Sequence, residues 1–86
     1  MSPSLEQRRA DTARVDDQLV ALAAEEAAHL GRACEGWPRD RFQALAFSSA
    51  LVTLKDRLGP YAYAALRHRY DTQRTQFMAR LAALGV

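Results

Sequence analysis

The segment from Phe42 to Leu58 most constrains the fold, because its apolar residues repeat on two sides of a helix. At about 100° per residue, one side carries Phe42, Leu45, Ser49 and Val52. The other side carries a more continuous apolar row: Phe47, Leu51, Leu54 and Leu58. A helix that is apolar on two sides is normally buried from two sides. The segment is therefore predicted to lie between flanking helices of its own chain, or between one such helix and a second copy of the molecule.

Two breaks divide the chain into three predicted helices, and nothing in it has the pattern of a strand. Gly59-Pro60 ends the central helix, since glycine suits the C-terminal cap and proline the first turn of the next helix. Trp37-Pro38 separates the central helix from the first one. We predict a single all-α domain over residues 1–86, with helices near 4–34, 38–58 and 60–84. The expected architecture is a three-helix antiparallel bundle or a helical hairpin plus a third helix, assembled as a dimer.

The distribution of charge predicts that the first and last helices lie close together. Residues 1–34 carry more acidic than basic side chains, whereas residues 60–86 carry four arginines and one aspartate. Asp16 and Glu26 fall on the apolar side of the first helix, where a lone carboxylate is costly to bury. Each is expected to pair with an arginine of the last helix, Arg67 and Arg74 being the candidates, or to reach water at the rim of the apolar face. The alternative is an acidic group that works in a cleft.

The size of the chain favours binding to another protein. A domain of 86 residues leaves much of its surface exposed and has a core of marginal size. We predict a small interaction module, such as an adaptor, a chaperone-like subunit or a regulator, that binds itself or another protein. The predicted interface consists of the apolar row and of Trp37, which lies between the first and central helices. Its residues are Trp37, Phe47, Leu51, Leu54 and Leu58.

The alternative prediction is a nucleic-acid-associated regulator that binds through its basic third helix. Its arginines are interleaved with tyrosines, a composition that suits phosphates and stacked bases. The candidate anion contacts are Arg67, Arg69 and Arg74. The aromatic residues Tyr63 and Tyr70 have a competing role, because they lie seven residues apart on the face expected to pack against the core.

Neither a metal site nor a catalytic nucleophile is predicted. His29 and His68 have no second histidine or cysteine three or four residues away, as a metal half-site on a helix requires. Cys34 is the only cysteine, which excludes an intrachain disulfide and favours a reducing compartment. Because the chain has no signal-peptide pattern and no apolar run of about 18 residues, we expect a cytoplasmic protein that needs no membrane and no cofactor.

One stretch of the first helix resembles a known family. Arg9, Val15-Asp16 and the run Leu19 to Leu22 are similar to the opening helix of the all-helical chorismate mutases, which also have one long and two shorter helices. The resemblance covers about residues 9–30 and implies an enzyme that holds a dicarboxylate with arginines and a lysine. It places Glu26 where a substrate-binding arginine is expected, and no lysine precedes Lys55. Binding, not catalysis, is therefore the predicted function.

Overall fold

The computed structural model describes residues 4–86, which form four α-helices and no strand. The helices are α1 (Leu5–Leu30), α2 (Arg39–Arg57), α3 (Pro60–Thr72) and α4 (Arg74–Ala83). The all-α prediction is confirmed. The predicted number of helices is wrong, because the segment expected to form one helix from residue 60 to 84 is two helices.

The chain changes direction between α3 and α4 at Gln73, whose φ of −120° and ψ of 30° are not helical. The Thr72 hydroxyl donates to the main-chain oxygen of His68 at 2.9 Å, a bond that tends to bend helices. On the far side of the break, the amide of Phe77 donates to the main-chain oxygen of Gln73 at 3.1 Å. A single non-helical residue therefore redirects the chain while most main-chain hydrogen bonds are kept.

The first helix ends at Leu30, before the predicted limit near Cys34. Residues 31–36 form turns, in which the amide of Trp37 donates to the main-chain oxygen of Cys34 at 3.0 Å. Gly36 has a φ of +85°, a conformation that glycine adopts without the steric cost of a side chain. These turns reverse the chain, so that α2 can pack antiparallel to α1.

The core lies between the α1–α2 hairpin and the pair α3–α4. Thirteen buried residues form one cluster: Leu19, Val20, Ala23, Ala27, Ala46, Phe47, Ala50, Leu51, Leu54, Leu66, Tyr70, Phe77 and Leu81. At its centre the ring of Phe47 lies 5.2 Å from that of Tyr70 and 6.1 Å from that of Phe77. Because Tyr70 and Phe77 flank the break at Gln73, this aromatic cluster holds both α3 and α4 against α2.

Ion pairs join the acidic first helix to the basic last part of the chain, as the charge distribution predicts. Arg69 of α3 pairs with Asp16 at 2.9 Å, and Arg80 of α4 pairs with Asp17. The arginines that pair with α1 are therefore Arg69 and Arg80, and the predicted pairing through Arg67 and Arg74 is wrong. N-terminal to these contacts, residues 4–14 are exposed all round.

Within residues 4–86, no helix combines the length and the apolar composition that crossing a membrane requires.

Candidate functional site

The predicted interface row is part of the core of a single chain. Phe47, Leu51 and Leu54 are at most 1% exposed, and Leu58 is half-buried. The break at Gln73 explains this burial, because it brings α3 and α4 back over the side of α2 that carries the row. Three of the five residues predicted to contact a partner therefore offer a partner no surface within this fold.

The opposite side of α2 remains open. We call it the outer strip of α2 and define it by six residues: Arg41, Leu45, Ser48, Ser49, Val52 and Asp56. At 100° per residue these six lie away from Phe47 and Leu51. Val52 is 66% exposed although it is a large apolar residue near the middle of α2, and Leu45 and Ser49 are half-buried. The outer strip is thus an apolar surface with charged ends and two small residues at its centre.

Trp37 lies beside one end of the outer strip. Its ring is 39% exposed, and the guanidinium of Arg41 lies over it at 4.7 Å from the ring centre. A guanidinium that stacks on an aromatic face keeps its N–H groups free at the edge, where they can bind a carboxylate. Of the predicted interface residues, Trp37 is therefore the one that remains exposed next to an open apolar surface.

The three arginines proposed as anion contacts are not brought together. Arg67 pairs with Asp71 on the same helix at 3.4 Å, and Arg69 donates from Nε to Asp16 at 2.9 Å. Arg74 lies beyond the break, in a groove of about 450 Å³ that α4 forms with the first turns of α2. Because two of the three guanidiniums already bind carboxylates, the basic third helix does not present a continuous cationic face.

The acidic residues singled out in the sequence have different surroundings. Asp16 is the partner of Arg69, and its side chain is only 16% exposed. Glu26 is half-buried on α1. Asp16 therefore has the structural role that its position on the apolar side of α1 predicts, a carboxylate paired with an arginine of the last part of the chain.

The grooves of the molecule are shallow and open. The one between α1 and the end of α2 has a volume of about 370 Å³, and its floor includes Leu22, Leu54 and Leu58. Its polar residues, Gln18, Glu25 and Arg57, are exposed and lie at the rim. The described residues contain no group of three side chains that could hold a metal ion. Burial raises the pKa of Tyr70, with the neighbouring Arg74 and Arg67 opposing the shift.

Two cationic residues bear on the resemblance to chorismate mutases, Arg9 and Lys55, and they lie on different helices. Arg9 is on the exposed first part of α1, in a shallow groove lined only by residues of that helix. Lys55 is exposed on α2, with its nitrogen 6.0 Å from the ring centre of Tyr63. Of five of the best-formed grooves of residues 4–86, none is lined by both of these cationic groups.

Comparison of the chain with protein-family models, with curated proteins and with solved structures finds no match. The sequence carried a signal for the outer strip, because Leu45, Ser49 and Val52 recur at helical spacing on one side of α2. The sequence did not contain the information that this side, and not the row through Leu51, would stay uncovered.

Proposed function

We propose that this protein is a small helical interaction module that binds a helix of a protein partner through the outer strip of α2. One observation carries the proposal: Val52 is 66% exposed near the middle of a helix whose other apolar residues are at most 1% exposed on the core side. Isolated apolar residues on a surface are ordinary. Here, however, Val52 shares one helical face with the half-buried Leu45 and with two serines.

The residues of the outer strip have the spacing that a partner helix would use. Arg41, Leu45, Ser48 and Val52 follow one another at intervals of four, three and four residues, the pattern with which helices pack side by side. The serines at the centre are small, which favours the interaxial distances of about 8–10 Å at which helices pack. The expected partner is an amphipathic helix with apolar residues at its centre and charged residues of opposite sign at its ends.

The core of the chain is closed without a partner, which leaves the outer strip available for binding. The apolar core-facing residues of α2 and α3 are covered by the chain's own helices. The hydrogen bonds of Gln43, the one buried polar residue of the described chain, are also internal, since its amide donates to the main-chain oxygen of Val86 at 2.7 Å. Binding at the outer strip would therefore not require the fold to open, and the free and bound conformations are expected to agree closely.

A photoreactive residue in place of Val52 tests this function directly. Benzoylphenylalanine at position 52 should form covalent adducts with a protein partner in the cells that make this protein, whereas the same residue in place of the exposed Ala64 of α3 should not. Mass spectrometry then identifies the partner, and the purified partner is titrated with the wild-type protein and with variants.

Val52→Asp should weaken that affinity by about tenfold or more, because a carboxylate would have to be desolvated in an apolar contact. Ala64→Asp should leave the affinity within about twofold of the wild-type value, since Ala64 is exposed on α3 and surface substitutions away from a contact have small effects. Equal adduct yields at positions 52 and 64, or an affinity that Val52→Asp does not change, would contradict the proposed function.

A further inference from the structure

We infer that the partner on the outer strip is a second copy of this chain, paired antiparallel about a two-fold axis between Ser48 and Ser49. The inference rests on the proposed function and names the partner for that same surface. It follows from a symmetry of the strip itself. Leu45 and Val52 lie at equal distances on either side of the point between the two serines, and so do Arg41 and Asp56.

In a two-fold symmetric interface, if one residue contacts a second residue of the other copy, the reverse contact also forms. The surface must therefore be complementary to itself. About this axis, Leu45 of one copy meets Val52 of the other, and Ser48 meets Ser49. Because a helix rises 1.5 Å per residue, the two apolar contacts would be about 10 Å apart, with the serines between them. The centre of the strip thus satisfies the requirement with apolar pairs around small residues.

The two ends of the outer strip are complementary to each other in charge. In the antiparallel arrangement the guanidinium of Arg41 lies next to the carboxylate of Asp56 on the other copy, at both ends. Within residues 4–86, neither side chain takes part in an ion pair of its own chain. A parallel pair would instead place the two Arg41 side chains together and the two Asp56 side chains together, which like-charge repulsion disfavours.

The neighbours of the strip are compatible with this pairing. Lys55, the residue before Asp56, has its nitrogen 6.0 Å from the ring centre of Tyr63 on α3, which directs its charge away from the strip. Arg41 is held over Trp37 at 4.7 Å, so that its side chain is positioned before the second copy arrives. Preorganised side chains lose less conformational entropy on binding.

The size of the contact predicts a weak dimer. The 19 residues of α2 extend over about 28 Å, and one helix pair of that length buries less surface than the roughly 800 Å² per partner of a standard interface. We therefore expect a dissociation constant of about 1–100 μM, the range of small transient interfaces. Association must be measured over concentrations on both sides of that range.

Sedimentation equilibrium of the purified protein with charge-exchanged variants tests the inference. The wild-type protein should approach twice the 9.6 kDa mass of the chain as its concentration rises. Arg41→Asp and Asp56→Arg alone should each weaken dimerisation by roughly 2- to 30-fold, because each removes both symmetric ion pairs. The double variant Arg41→Asp/Asp56→Arg should return to within about twofold of wild type, since the pair is restored with its signs reversed.

A cysteine at the proposed axis gives a second measurement that does not depend on charge. Ser48→Cys should form a disulfide between two copies under mild oxidation, because Cα atoms about 4.4–6.8 Å apart can be bridged. Ala64→Cys is the control, and it should form no disulfide between copies because Ala64 is exposed on α3, away from the proposed axis. The native Cys34 is buried, and peptide mapping of the product shows which cysteine is linked.

The outcomes separate this inference from the function on which it rests. A monomer at every concentration, without a Ser48→Cys disulfide, would overturn self-pairing, while adducts of position 52 with a different protein would leave the proposed function intact. A dimer that the double variant does not restore and that Ser48→Cys does not link would place the contact elsewhere, and it too would overturn the inference. Restoration together with the disulfide is the result expected.

Discussion

Arg69 and Asp16, which are 53 residues apart in the chain, form a paired contact that joins α3 to α1. Nε of Arg69 donates to Oδ1 and Oδ2 of Asp16 at 2.9 and 3.3 Å, and Nη2 lies 2.9 Å from Oδ1. The side chains are only 21% and 16% exposed. A guanidinium that approaches a carboxylate through two nitrogens is both directional and strong. The contact therefore fixes where α3 lies relative to the hairpin.

Asp16→Ala should lower the free energy of unfolding by about 1–3 kcal/mol, because it leaves a partly buried arginine without its partner. Asp11→Ala is the matched control on the same helix. Asp11 pairs with Arg14 at 3.7 Å, but those side chains are 51% and 68% exposed, and exposed pairs contribute about 0–1 kcal/mol. Urea unfolding followed by circular dichroism measures both. A similar loss in the two variants would contradict the structural role of the Arg69–Asp16 pair.

The stability of the protein should fall in alkaline solution because of Tyr70. Burial raises the pKa of this phenol above its ordinary value of 10.0 in the folded state, so between the two pKa values the unfolded chain loses a proton that the folded chain retains. The contribution of Tyr70 to the free energy of unfolding is fully present below about pH 10. It is lost as the pH rises through the folded-state pKa of Tyr70. Tyr70→Phe, which keeps the ring, should remove this part of the pH dependence.

Urea unfolding of the wild type and Tyr70→Phe at pH 8, 9, 10 and 11 measures the effect. The difference in unfolding free energy between the two proteins should stay constant at the lower pH values and change above about pH 10. Tyr61 is exposed, so Tyr61→Phe is the control for removing a phenol that does not pack in the core. A constant difference between wild type and Tyr70→Phe over the whole range would contradict the assignment.

Leu51 and Val52 are adjacent in the chain, yet their substitution should have different consequences. Leu51→Ala should cost about 2–5 kcal/mol, since it leaves a cavity in the core. Val52→Ala should change the unfolding free energy by no more than about 0.5 kcal/mol in dilute solution, because Val52 is 66% exposed. Thermal unfolding at several protein concentrations distinguishes a core residue from an interface residue. If the effect of Leu51→Ala depended on concentration, Leu51 would belong to an interface after all.

Several features of the fold follow from local sequence. Pro60 marks the start of α3, because its fixed φ suits the first position of a helix. The predicted role of Gly59 as the C-terminal cap of α2 is wrong, since Leu58 is that cap and Gly59 is the N-cap of α3. The opposite charges of the two ends of the chain predict the contact between α1 and α3 without identifying its residues. Arg69 pairs with Asp16 where the sequence suggested Arg67 or Arg74. The sequence places all three arginines within two turns of one predicted helix, whereas in the structure Arg74 lies on α4 and only Arg67 and Arg69 lie on α3.

Helical spacing identifies two apolar faces on α2. It does not predict which of the two faces other helices of the chain cover. Both faces have the same period, so periodicity alone assigns the core to neither. The decision depends on the direction that the chain takes after Gln73, and that direction is set by the packing of Tyr70 and Phe77 on Phe47. The sequence by itself determined that α2 is apolar on two sides. Only the tertiary structure decided that the row through Leu51 fills the core and that Val52 is left exposed, because that choice rests on contacts between residues distant in the chain.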